Sequence, residues 1–232
     1  MDVCFILVKP KRPANIGACA RAMKVMGFSD LRLVEPCEEW GAEGYTAHGS
    51  EDLLANAQVF SSLEEAKKGC NLLIGTTARK RGAVKTMLNS RTLPDFLRAK
   101  HPDAMKVGIV FGCEASGLSN KDLDLCDLNS SIPLKNPYPS CNLAQAVMIY
   151  AYELSAEASI QASGKRKSYP HPNDFQVFKE KIREFLPSLG LRDDSTLFAK
   201  VMDRLALLGQ EDREIVFCLK NFVVKKLTQT TD

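Results

Sequence analysis

Residues Val107-Gly108-Ile109-Val110-Phe111 form an apolar run without alternation. It empties into Gly112-Cys113-Glu114-Ala115-Ser116-Gly117, a glycine-bracketed loop with one carboxylate. A strand with no polar side has to be covered on both faces, as happens in parallel sheets sandwiched between helices. Val3–Val8 reads the same way, and Leu31–Val34, Gln58–Phe60, Leu72–Thr76 and Leu128–Ile132 are further short strands. Helices are expected from Asn15, as cap, to Gly27, as stop, and over Asp52–Ala57, Leu63–Lys68, Leu93–Lys100 and Lys121–Cys126. A longer one, apolar around much of its circumference, runs from Asn142 to about Ala162. Strands alternating with helices make an α/β fold with a mainly parallel sheet. Ligands of such sheets sit at the carboxyl ends of strands, which directs attention to the loop after Phe111.

The segment Thr77–Arg91 has no clear period, is rich in Arg, Lys and Gly, and reads as a mobile functional loop. Gly164–Pro172 breaks the α/β pattern with charge and proline and reads as a linker. Three helical segments follow, near Asp174–Leu186, Ser195–Leu208 and Glu211–Leu227. The expected division is therefore an α/β domain over 1–163, a linker over 164–172 and a small all-helical extension over 173–232.

No apolar run is long enough to span a bilayer, and the N-terminus lacks the basic, apolar and small-residue succession of a signal peptide. A cytoplasmic protein without a membrane partner is expected. The eight cysteines form no C-x-x-C pair and the three histidines are far apart, so neither disulfides nor a metal site is expected. The net charge of +3 is small, but its distribution is informative. Two stretches lack acids altogether: Val3–Ser29, with Lys9, Lys11 and Arg12, and Ala66–Pro94, with Arg79, Lys80, Arg81 and Lys85. Such runs are often only solvated faces. Their position in loops after strands favours a polyanion, and these seven residues are its candidate contacts.

Taken singly, the remaining signals are weak. Asn15 with Arg21 reads as a capping residue and a solvated cation, and Ser140 and Asn142 as N-caps. Gly112–Gly117 is not a G-x-G-x-x-G turn, and Lys9-Pro10-Lys11 stands where a dinucleotide-binding turn would need glycines, which disfavours a Rossmann oxidoreductase.

Taken together and in order, three motifs carry a resemblance: Asn15-Ile16-Gly17 with Ala20-Arg21-Ala22-Met23-Lys24 and Met26-Gly27; Phe111-Gly112, Glu114 and Gly117-Leu118-Ser119-Asn120; and Tyr138-Pro139-Ser140 with Asn142-Leu143-Ala144-Gln145-Ala146-Val147. Over about residues 1–160 the chain resembles the SpoU/TrmH class of SPOUT RNA ribose 2′-O-methyltransferases, and within it the TrmJ/LasT-like branch. The resemblance implies a C-terminal trefoil knot in the α/β fold, a homodimer with active sites near its interface, and S-adenosyl-L-methionine as cofactor. It implies RNA as substrate, with the tRNA anticodon loop favoured and rRNA the rival. It makes Asn15, Arg21, Glu114, Ser140 and Asn142 the catalytic set. The cofactor would lie on Thr76, Thr77, Ala78, Arg79, Gly112, Ile132, Leu134, Ser140, Cys141, Asn142 and Leu143, with no metal required. Cys113 stands where many relatives have Arg, and Cys141 where Leu is common. In this scheme Arg21, which stays charged, stabilises a developing alkoxide, Glu114 orients Arg21, and Ser140 and Asn142 hold cofactor and ribose. The alternatives are a catalytically silent RNA-binding SPOUT protein and, less favoured, a small-molecule α/β enzyme.

Overall fold

In the computed structural model, residues 2–40, 48–78, 86–100, 106–136, 140–160 and 175–229 are described. The chain runs β1 (Asp2–Val8), α1 (Pro13–Val25), β2 (Asp30–Val34), α2 (Glu51–Ala55), β3 (Gln58–Phe60), α3 (Leu63–Ala66), β4 (Leu72–Thr76) and β5 (Met87–Asn89). There follow α4 (Leu93–Lys100), β6 (Lys106–Phe111), α5 (Asn120–Leu125), β7 (Leu128–Ser131), α6 (Leu143–Ile160), α7 (Phe175–Ser188), α8 (Thr196–Leu205) and α9 (Gln210–Gln229). The seven strands form one sheet in the order β3-β2-β1-β6-β4-β7-β5, and every pair is parallel.

The unbroken apolar runs lie at the centre of this sheet and are covered on both faces. Phe5, Leu7, Ile74, Ile109 and Phe111 pack on one side against Ile16, Met23, Val147 and Tyr150 of α1 and α6. Cys4, Ile6, Val8, Leu73 and Val110 face the other way, toward Leu63, Ala66 and Leu123 of α3 and α5. Phe5 stacks on Phe111 with ring centroids 6.0 Å apart, and Phe111 meets Tyr150 edge-on at 5.5 Å. The Tyr150 hydroxyl, buried, donates to Ser130 Oγ at 2.9 Å, which satisfies the one polar atom of that ring. Five of the eight cysteines, Cys4, Cys19, Cys70, Cys113 and Cys126, are buried as small apolar side chains.

Two expectations are corrected. Thr77–Arg91 is not one loop: Met87–Asn89 pairs with β7 as the edge strand β5, and a 3-10 turn at Ser90–Thr92 leads into α4. Three residues are too few to show a period, and their ladder partner is supplied by a strand some forty residues further along. Helix α1 starts at Pro13 rather than after Asn15, because proline's fixed φ and missing N–H suit the first helical position. The linker expected over 164–172 lies outside the described residues.

Helices α7–α9 return to the α/β unit. Phe175, Phe178, Ile182, Phe198, Met202 and Leu205 join the same apolar cluster as the sheet. Asp203 of α8 accepts hydrogen bonds from the Thr86 amide and hydroxyl, both 2.8 Å, and Arg213 of α9 donates to the Lys100 carbonyl at 3.1 Å.

Candidate active site

The carboxyl ends of β1, β4, β6 and β7 converge on one edge of the sheet, and three of the expected site residues meet there. Strand β6 stops at Phe111 because Gly112 is pressed against the returning loop: a Cβ on Gly112 would lie 2.1 Å from the Gly117 carbonyl carbon and the Leu118 nitrogen. Only glycine permits that approach. Gly117, at φ +70°, closes the turn by donating its N–H to the Cys113 carbonyl at 2.8 Å. The turn holds Glu114 out toward the start of α1.

At that helix start Arg12 is the N-cap and has no side-chain cap bond. The Glu114 carboxylate serves instead. Its Oε2 accepts the Lys11 amide at 2.9 Å, and its Oε1 accepts the Arg12 amide at 3.2 Å and Asn15 Nδ2 at 2.9 Å. An anion at a helix N-terminus is also favoured by the helix dipole. Burial pushes the Glu114 carboxyl up, but the hydrogen bonds from Asn15 and the Lys11 and Arg12 amides outweigh it, so the group is held below its ordinary value.

The chain of contacts continues to α6. Asn142 is the N-cap of that helix: its Oδ1 accepts the Ala144 amide at 2.8 Å, and its own amide donates to Gln145 Oε1 at 2.9 Å, a reciprocal capping box. Its remaining group, Nδ2, donates to Asn15 Oδ1 at 3.0 Å. Asn142, Asn15 and Glu114 thus form one relay whose two hydrogen bonds span 127 and 99 residues of sequence.

Around the relay the strand ends are tied together. The Thr76 hydroxyl donates to the Val110 carbonyl at 2.8 Å, and the Thr77 amide donates to the Ser130 carbonyl at 2.9 Å. Leu143 is buried, Cys141 is half-buried and Ser140 and Ala78 are exposed. Ile132 and Leu134 line a pocket of about 410 Å³ whose other wall comes from Ser90, Arg91, Met148 and Tyr152. That pocket is not lined by Thr76, Gly112 or Asn142, so the residues expected around a cofactor are distributed over an edge larger than this one depression.

Arg21 does not meet Glu114. It is exposed, and no hydrogen bond or ion pair joins the two. Arg21 follows Asn15 by six residues, roughly 9 Å along the helix and about 240° around it, so the two side chains leave α1 in different directions. Asn15, not Arg21, is the side chain that Glu114 orients. Of the expected RNA contacts, Lys9, Lys11 and Arg12 are exposed at the β1–α1 turn. Lys9 pairs with Glu35 at 3.1 Å. Arg79, Lys80, Arg81 and Lys85, and Tyr138-Pro139 of the third motif, lie outside the described residues.

Lys9 and Glu35 hold left-handed backbone, at φ 53° and 43°, directly after β1 and β2. The residue before a proline is normally extended, so nothing in Val8-Lys9-Pro10 announces this. It is sustained by the Lys9 amide donating to the Val34 carbonyl at 2.8 Å and the Glu35 amide donating to the Phe60 carbonyl at 3.0 Å.

Residues 2–152 match the sequence profile described as the SpoU rRNA Methylase family. The chain is 37% identical over 235 residues to LasT of Escherichia coli K12, an uncharacterized tRNA/rRNA methyltransferase, covering 99% of this chain and 100% of that one. It is 35% identical over 195 residues to the tRNA (cytidine/uridine-2′-O-)-methyltransferase TrmJ of Pectobacterium atrosepticum, covering 82% and 80% of the two. Its structure is similar to that of TrmJ from Z. mobilis ZM4, with a TM-score of 0.67 at 28% identity over 96% of this chain and 99% of that one.

Proposed function

The chain belongs to the SpoU rRNA Methylase family, and from that premise we propose that it is an S-adenosyl-L-methionine-dependent RNA ribose 2′-O-methyltransferase acting on tRNA. The observation that carries the reading is the Asn142–Asn15–Glu114 relay, which draws one residue from each of the three motifs into direct hydrogen-bonded contact. The tRNA preference rests on the relatives, several of which are tRNA (cytidine/uridine-2′-O-)-methyltransferases. A homodimer, the trefoil knot, a cytoplasmic location and a division into domains 1–163 and 173–232 belong to the same proposal. No helix among the described residues is long and apolar enough to cross a membrane.

The residues at the strand ends fit such a cofactor. Half-exposed apolar side chains, Ile132 and Leu134, suit an adenine ring, the tied backbone of Thr76, Thr77 and Gly112 suits a polar tail, and the carboxylate of Glu114 suits a cationic sulfonium. When bound, the cofactor supplies an electrophilic methyl group to an in-line oxygen. The chain's own work is positioning and charge. Asn142 and Asn15 have their amide orientations fixed by the capping box and by Glu114. Ser140, exposed two residues before the Asn142 cap, contacts the ribose in this reading. Arg21 is exposed on α1 and uncommitted to Glu114. It acts on the RNA side, as a fixed positive charge beside the attacking hydroxyl and its phosphate.

The test incubates the full chain with methyl-labelled S-adenosyl-L-methionine and unmodified total RNA, followed by size fractionation and nucleoside analysis. Label is expected in the tRNA fraction as 2′-O-methylnucleoside. Label in rRNA alone corrects the substrate, and no label in either with cofactor binding intact favours an RNA-binding protein without turnover. Arg21→Ala is expected to lower turnover by at least 10²-fold while cofactor affinity stays within about twofold.

A further inference from the structure

Cys4 of β1 and Cys70, in the turn between α3 and β4, are 66 residues apart in sequence, yet their Sγ atoms share a hydrogen bond at 3.3 Å. Strand β6 runs between them, since Gly108 pairs with Cys4 on one side and with Leu73 on the other. The sulfurs meet above that strand because Gly108 has no side chain: a Cβ there would lie 3.2 Å from Cys70 Sγ and 2.7 Å from Leu73 Cδ1. A third group faces the pair. The Arg32 guanidinium, buried on β2, donates to the Lys68 carbonyl at 2.9 Å and to Cys70 Sγ at 3.8 Å, and Asp30 pairs with it at 3.3 Å. Capping the carbonyls that follow α3 explains the Lys68 bond. The bond to Cys70 does something more, for it sets a fixed positive charge against one of two touching thiols.

We propose that Cys4, Cys70 and Arg32 form a redox site, at which a hydroperoxide oxidises the two thiols to a disulfide laid across β6 and a dithiol reductant restores them. With hydrogen peroxide, the Cys70 thiolate attacks one oxygen and breaks the O–O bond, leaving a sulfenic acid and hydroxide. The Cys4 sulfur then attacks the Cys70 sulfur, the S–S bond forms and the sulfenic oxygen is expelled. The protons of the two thiols go to the two released hydroxides, so two waters leave. The order of the steps follows from access and charge. Cys70 is 8% exposed against 0% for Cys4, so the oxidant meets Cys70 first. The hydrogen bond from Cys4 holds the Cys70 thiol below its ordinary value against the opposing effect of burial, and Arg32 adds to the lowering. The same hydrogen bond, with burial, pushes the Cys4 thiol up. Bonding distance requires the sulfurs to approach by about 1 Å, and Cys70 can move that far because it lies in a turn and not in the sheet ladder. The bond ties β1 to the chain entering β4 and closes a long loop, which stabilises the oxidised chain.

The full chain, reduced and desalted, is treated with hydrogen peroxide, its remaining thiols are blocked with N-ethylmaleimide, and the digest is read by mass spectrometry. A Cys4–Cys70 peptide pair two hydrogens lighter than the free peptides is expected, lost again with dithiothreitol, and the oxidised chain should melt at a higher temperature. Cys4→Ser is expected to stop the cross-link and leave Cys70 as a sulfenic acid that dimedone captures. Cys70→Ser should stop it and leave Cys4 a free thiol. Arg32→Gln, which removes the charge but keeps a donor, should slow cross-linking roughly tenfold. Its melting temperature shows whether it folds, and if it does not, the two cysteine variants still decide. Exposed Cys218 reports that the oxidant has acted. Oxidised Cys218 without a Cys4–Cys70 product overturns the proposal. So does a product that forms equally fast in urea, where the fold no longer holds the two sulfurs together, or a folded Arg32→Gln chain that cross-links at the parental rate. None of these readouts depends on methyl transfer.

Discussion

Glu114 is the residue on which the candidate site closes, because one carboxylate caps α1 and orients Asn15 at once. Its folded-state pKa is depressed, so its contribution to stability is present above the ordinary glutamate range and is lost as pH falls through the lower folded value. Glu114→Gln replaces one acceptor oxygen with an N–H₂ facing a backbone amide. A loss of about 1–3 kcal/mol is expected, with the acid limb of the stability profile flattened, as thermal melts between pH 3 and 7 would show. Asn142 allows capping and orientation to be separated. Asn142→Ala removes both and should cost about 1 kcal/mol together with activity. Asn142→Asp keeps the Ala144 cap but sets a carboxylate oxygen against Asn15 Oδ1 in place of the donor, so about 1–3 kcal/mol is expected from that mismatch while methyl transfer falls. An Asp variant as active as the parent would remove the relay from the mechanism. The sequence shows Asn142 as a cap, since the signal is local; its bond to Asn15 spans 127 positions, and only the fold supplies it.

At the scale of elements, the strands were legible where burial on both faces left unbroken apolar runs, as in Val3–Val8 and Val107–Phe111. Strand β5 was not, because Met87–Asn89 is a strand only by virtue of its pairing with β7. The capping box of α5 closes between Ser119 and Asp122, three residues apart. The second motif's shape comes from contact rather than composition. Gly112 looks like one glycine among fourteen, yet a Cβ there would lie 2.1 Å from backbone. Gly112→Ala therefore has to displace the Gly117–Leu118 segment and with it Glu114. It should cost several kcal/mol and abolish activity. Gly27→Ala, at φ +84° with open space around it, should cost only about 1 kcal/mol. Urea unfolding of the pair checks the contrast, and equal losses would mean that the tight approach at Gly112 is not what the turn depends on.

For the whole molecule, the question is whether α7–α9 are an appendage or part of one cooperative body. Asp127, between α5 and β7, decides it chemically. It accepts the Leu73 amide at 2.8 Å and Gln176 Nε2 at 3.1 Å, and it pairs with Lys179 of α7, so a single buried carboxylate ties β4 to the returning helix. Removing one partner of a buried pair costs far more than the pair contributes, because the remaining charge stays desolvated. Asp127→Ala strands the Lys179 ammonium and the Leu73 amide together, and about 3–5 kcal/mol is expected, or roughly 10 °C in melting temperature. Lys179→Met should cost a similar amount, since the carboxylate it leaves without a cation is the more buried partner, 1% exposed against 17% for Lys179. The apolar cluster is continuous from Phe5 and Ile109 to Phe175 and Met202, so calorimetry of the Asp127→Ala variant should show one shifted transition. A split into two transitions, with the α/β part melting unchanged, would mean that the C-terminal helices fold on their own account and that the Asp127 contact is only a latch between them.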